Sequence, residues 1–118
     1  MKKVFILIMF SLLIVVSNVV AADLNGIWEG NMYCSHYPAG DSEYFKIEII
    51  QNGDFFISTN IEPTSGEKCG GVLDGNKLSM TCESETIAYG EIKYKNIYII
   101  NHILSEAATC KGTATLIE

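Results

Sequence analysis

CGGVLDGNKLSMTC, residues 69–82, reads as one β-hairpin with a cysteine at the open end of each strand. With Gly75-Asn76 as a two-residue loop, Asp74 faces Lys77, Leu73 faces Leu78, Val72 faces Ser79 and Gly71 faces Met80. Cys69 then lands opposite Cys82. Glycine at the first loop position suits a type II′ turn, and Gly-Asn also suits type I′. Counting outward from the loop, Cys69 and Cys82 occupy a non-hydrogen-bonded pair, where Cα atoms stand about 4.5 Å apart and a disulfide fits. One face carries Cys69, Gly71, Leu73, Leu78, Met80 and Cys82, and the other carries Val72, Asp74, Lys77, Ser79 and Thr81. An apolar face backed by a mostly polar one is what an antiparallel sheet over a core requires.

The flanking chain repeats the pattern. Asn25–Cys34 alternates, with Trp28, Gly30, Met32 and Cys34 on one face. Ser35–Ser42 is a loop, because Pro38, Gly40 and Asp41 are turn residues. Glu43–Gln51 is a strand with Phe45, Ile47 and Ile49 on one side. Asn52-Gly53 is a strong hairpin signal, and Asp54–Ile61 returns with Phe55, Ile57, Thr59 and Ile61 expected inward. A three-residue loop with Gly53 in a bulge places Ile49 opposite Ile57 and joins these faces. Glu62–Lys68 is a second loop. Thr86–Tyr94 and Ile97–Leu104 form a hairpin around Lys95-Asn96. Its Ile97-Tyr98-Ile99-Ile100 run is either buried on both sides or part of an interface. Ala107–Ile117 is the last strand, with Cys110, Gly112, Ala114 and Leu116 on one face.

The first and last strands answer each other. With Cys34 opposite Cys110, Met32 faces Gly112, Gly30 faces Ala114 and Trp28 faces Leu116, all on the inner face, and the long Met32 lies across from a glycine. The expected fold is therefore all-β: a small antiparallel up-and-down barrel of about eight strands with two disulfides and no free edges. A β-sandwich is the alternative. The favoured disulfides are Cys34–Cys110 and Cys69–Cys82. Pairings Cys34–Cys69 with Cys82–Cys110, or Cys34–Cys82 with Cys69–Cys110, stay open at this stage.

Gly26-Ile27-Trp28, at the start of the first strand, resembles the G-x-W opening of lipocalin-like (calycin) barrels. The resemblance implies a barrel closed at one end by Trp28, with a small apolar ligand as the family's usual cargo. The family's partner for that tryptophan is an arginine of the last strand, and this chain has no arginine. Lys111 stands on the last strand but on its outer face. The family's T-D-Y turn is also missing. Independent of the resemblance, Trp28 is expected in the core as its largest side chain.

Residues 1–22 read as a secretory signal peptide, and 23–118 as a single domain. Lys2 and Lys3 form a positive n-region, Val4–Val16 is apolar apart from Ser11, and Val19-Val20-Ala21-Ala22 offers small residues for cleavage after Ala22, or after Ala21. As an uncleaved anchor the apolar run is short for a hydrocarbon core of about 30 Å. The expectation is a secreted or periplasmic protein with no stable membrane anchor after cleavage. Two of the eight lysines fall in the leader, leaving six against fourteen acids, an excess of eight negative charges. That balance, without arginine, argues against nucleic acid and anionic membrane surfaces. Four cysteines in an exported chain suggest two disulfides rather than zinc, which favours close Cys-x-x-Cys pairs.

No catalytic motif surrounds either histidine. His36 lies in the first loop and His102 near the end of the seventh strand. Glu83, Glu85, Glu62 and Glu67 form no ordered calcium-ligand series and read as solvated loop charges. No cofactor is expected. Six tyrosines are many for this size, and His36-Tyr37-Pro38 in the longest loop is the candidate partner contact. The leading functional expectation is a non-catalytic binding protein that engages another protein through loops or outer face, enzyme inhibition being one form. A carrier of a small apolar ligand is the alternative, and an uncharacterised enzyme the third. A barrel of this size is expected to be largely filled by Trp28, Met32 and Met80.

Overall fold

The computed structural model describes residues 22–118. The signal peptide assigned to residues 1–22 lies outside the described residues except for Ala22. Eight strands follow in order: β1 Gly26–Cys34, β2 Glu43–Asn52, β3 Phe55–Glu62, β4 Lys68–Asp74, β5 Lys77–Cys82, β6 Thr86–Lys93, β7 Asn96–Ile103 and β8 Ala108–Leu116. A single 3₁₀ turn, Leu104–Glu106, joins the last two strands. Each strand pairs antiparallel with the next and β8 pairs with β1, so the sheet is a closed up-and-down barrel. Among the described residues no helix is long and apolar enough to cross a membrane.

The seam follows the expected register: Trp28 opposes Leu116, Gly30 opposes Ala114, Met32 opposes Gly112 and Cys34 opposes Cys110. The cysteine hairpin also pairs as expected, from Asp74–Lys77 outward to Cys69–Cys82. Gly75 has the φ of 63° that a type II′ turn asks of its first central residue. Both disulfides close across directly paired strands, Cys34–Cys110 and Cys69–Cys82, each with Cα atoms 4.0 Å apart. All four thiols are thereby committed to each other, the pattern typical of extracellular and periplasmic proteins.

Two hairpins differ from expectation by one residue. β2 and β3 turn through Gly53-Asp54, pairing Asn52 with Phe55, Ile50 with Ile57 and Ile49 with Ser58. The bulge lies not at Gly53 but at the far end, where Lys46 opposes Glu62 and Ile47 opposes Asn60. Since side chains alternate along a strand, this one-residue difference reverses β3. Phe56 and Ser58 are buried, while Phe55 and Ile57 face solvent. Phe56 is admitted because it opposes Gly71, whose missing side chain leaves room for the ring. The β6–β7 loop is Tyr94-Lys95 rather than Lys95-Asn96, with Ile92 opposite Ile97 and Tyr94 at a φ of 60°.

The barrel is closed at one end and open at the other. At the closed end the chain before β1 folds across the interior. Leu24 is fully buried there, and Trp28, 1 % exposed, donates its indole Nε1–H to the Leu24 carbonyl at 2.9 Å. Gln51 binds this segment from β2, accepting from Leu24 N and donating to Ala22 O. Leu73, Leu78, Ile92, Ile97 and Ala114 complete this buried core. Both disulfides stand at the opposite end.

Candidate functional site

The open end holds a cavity of about 370 Å³. Its walls come from inward residues of β1, β2, β5 and β7: Met32, Phe45, Ile47, Met80 and Ile99. Ser58, Thr86 and Asn101 add polar groups among them, and the Cys69–Cys82 disulfide forms part of the wall. The interior is thus filled at the Trp28 end and hollow at the disulfide end, a division that strand alternation alone does not reveal. The Oδ1 of Asn101 is buried and has no hydrogen-bond partner among the described residues. No such bond holds that amide oxygen in place, and a turn of the group exchanges its acceptor and donor ends.

Three carboxylates stand around the opening: Glu43, Glu67 and Glu106. Each is positioned by a neighbour. Tyr37 donates its hydroxyl to Glu43 Oε2 at 2.5 Å, Ser84 donates to Glu67 Oε1 at 2.7 Å, and His36 Nε2 lies 3.3 Å from Glu106 Oε2. The His36 and Tyr37 rings pack against each other with centroids 4.5 Å apart. The His36-Tyr37-Pro38 loop therefore sits at the mouth as a brace between the start of β2 and the 3₁₀ turn, with Pro38 exposed beside it. The hydrogen bond to Glu43 pushes the Tyr37 phenol up to about 12, with burial and the carboxylate charges of Glu43 and Glu106 adding to it.

The histidines are separated. His36 Nε2 is taken by Glu106 and the Tyr37 hydroxyl by Glu43, so these groups do not form a nucleophile–base relay. His102, on β7, has Thr109 Oγ1 at 3.4 Å from its Nδ1 and the Tyr89 ring edge-on at 6.1 Å. Glu67 lies near the sulfurs of Cys69 and Cys82, but those sulfurs are bonded to each other.

A second surface is the outer wall. Phe55 pairs with Val72, Val72 with Ser79, Ser79 with Tyr89, Tyr89 with Ile100, Ile100 with Lys111 and Lys111 with Tyr33. These residues form one lateral row around the outside of the barrel. Ile50 and Ile57, directly paired, widen the row at one end, and Tyr98 widens it beside Ile100. Phe55 is 68 % exposed, Ile50 65 % and Ile57 54 %. Over β6, β7, β8 and β1 the wall is hollowed into a broad open groove lined by Tyr33, Tyr89, Tyr98 and Ile100. The Ile97-Tyr98-Ile99-Ile100 run of β7 pointed to this surface in the sequence, as one of its two readings. The β2–β3 end was hidden because Phe55-Phe56-Ile57 is apolar at both parities.

Comparison with known proteins finds no family model and no curated protein that matches this chain.

Proposed function

We propose that this chain is an exported, non-catalytic binding protein that engages another protein through the outer wall of its barrel. The observation that carries the reading is the row of exposed aromatic and aliphatic side chains from Phe55 round to Tyr33, broken only by Ser79 and Lys111. Exposed apolar side chains gathered on one wall in this number mark interaction surfaces more often than chance exposure does. Tyrosine supplies large contact area at low entropic cost, as in protein-recognition surfaces. The closed barrel presents no strand edge, so a partner docks against side chains and does not add a strand. The negative excess favours a partner with a basic surface, and an inhibitor of a basic enzyme is the form that fits.

The leader at residues 1–22 and the paired cysteines support export to the periplasm or beyond. Gly26-Ile27-Trp28, with Trp28 stopping the closed end, supports a lipocalin-like barrel. The carrier reading has one observation in its favour, the mouth cavity, but that cavity is polar as well as apolar.

The test is capture by the immobilised domain, residues 23–118, from extracts of the cells that export it. Phe55→Ser with Ile57→Ser, and separately Tyr89→Ser with Ile100→Ser, are compared with the unaltered protein. Outward positions are expected to change stability by no more than about 0.5 kcal/mol. The expected result is a basic protein retained by the unaltered chain and lost by at least one folded variant. Equal retention by both variants would exclude the outer wall.

A further inference from the structure

We propose that the barrel mouth is a binding site for a small organic ammonium ion, an amine carried on a compact apolar body. The site is distinct from the outer wall and does not depend on it. Its volume, about 370 Å³, lies within the range of small-molecule pockets, roughly 300–1,000 Å³. The class of ligand follows from the charges. Glu43, Glu67 and Glu106 line the cavity, and no lysine does. An uncharged guest covers these carboxylates without compensating them, and an anion is repelled by all three. A cation turns the same desolvation into charge-assisted hydrogen bonds.

The walls suit the rest of such a ligand. Phe45 brings an aromatic ring to the wall, suited to a cation or an apolar body, and Met80 a polarisable sulfur. Asn101 lines the same cavity with an amide oxygen that has no partner among the described residues. It gives an N–H donor something to bind inside the barrel, beyond the rim carboxylates. The rim is also pre-set: Tyr37, Ser84 and His36 already hold the three carboxylates, so little ordering is left for binding to impose.

The experiment is isothermal titration calorimetry of the oxidised domain with three probes of matched body: 2-phenylethylammonium, 2-phenylethanol and 3-phenylpropanoate. The ammonium ion is expected to bind saturably at one site and the other two far more weakly. Glu67→Gln with Glu106→Gln is expected to weaken the ammonium ion about tenfold or more, and Glu43→Gln alone to weaken it less. These rim residues are exposed or nearly so, and unchanged melting certifies each variant as folded. Phe55→Ser with Ile57→Ser is expected to leave the affinity unchanged, which separates this site from the protein-docking wall. Equal binding of the alcohol or the carboxylate would overturn the proposal. So would no ammonium binding at millimolar concentration, or full affinity in the folded double variant.

Discussion

Two tyrosines show how single side chains report on this surface. Tyr37 donates to Glu43 and Tyr44 donates to Glu29, and these hydrogen bonds are the main reason each phenol rises from its ordinary 10.0 to about 12. Ionisation would set a phenolate against a carboxylate. In the unfolded chain the partner is gone and the proton leaves earlier, so any stability from these bonds is complete below about pH 10. It is lost as pH rises from there toward 12. Both hydroxyls stand near solvent, so screening keeps the increment small. An alkaline absorbance titration is expected to show a phase near pH 12 that shrinks in Tyr37→Phe and again with Tyr44→Phe. Glu43→Gln should move the Tyr37 share to lower pH, and a Glu43→Gln titration identical to that of the unaltered protein would contradict the bond.

At the scale of strands, close approach decides what each position tolerates. A Cβ on Gly30 would lie 1.8 Å from the Thr113 carbonyl oxygen, which is main chain of the neighbouring strand at the β1–β8 seam. A Cβ on Gly71 would lie 2.2 Å from Cζ of Phe56, the far end of a side chain. A ring can shift, whereas a paired backbone cannot without opening its ladder. Gly71→Ala is therefore expected to cost about 1–3 kcal/mol, the usual overpacking range, and Gly30→Ala more than that. Urea denaturation of the two variants checks the order, and a milder Gly30→Ala would refute it. The same strands show what the sequence could carry. β1, β4, β5 and β8 were legible because small residues recur on one face, Gly30, Gly71, Gly112 and Ala114, with Met32 across from Gly112 and Met80 across from Gly71. β3 was misread because Phe55 and Ile57 are as apolar as Phe56, and its inner face is finished by Ser58, a residue that pattern assigns outward. The choice was made by Gly71, directly opposite on the adjacent strand β4, whose vacant space takes the Phe56 ring.

For the molecule as a whole, the two ends of the barrel do different work. One end is stopped by Leu24 and Trp28. At the other, no apolar plug is present among the described residues, and covalent links hold it. The mouth was only half visible from sequence: cysteine spacing located its disulfides, but its hollow depends on Phe56 and Trp28 filling the opposite half, which no local pattern encodes. The two links close very different loops, with sequence separations of 76 for Cys34–Cys110 and 13 for Cys69–Cys82. In the chain-entropy picture the first contributes about 4–5 kcal/mol and the second about 3 kcal/mol. The first also joins β1 to β8 at the mouth end of their seam, whose far end is tied by hydrogen bonds alone, Ile27 N to Glu118 O at 2.9 Å and Ile117 N to Ile27 O at 2.8 Å. Cys34→Ser with Cys110→Ser should therefore lower stability more than Cys69→Ser with Cys82→Ser, measured by chemical denaturation without reductant. The shorter link forms part of the cavity wall itself, so its removal should weaken the proposed ammonium binding at the mouth out of proportion to its smaller effect on stability. If the short link proved the larger contributor to stability, the closing seam would be held by β1–β8 pairing and packing, and the covalent clamp at the mouth would serve the cavity more than the fold.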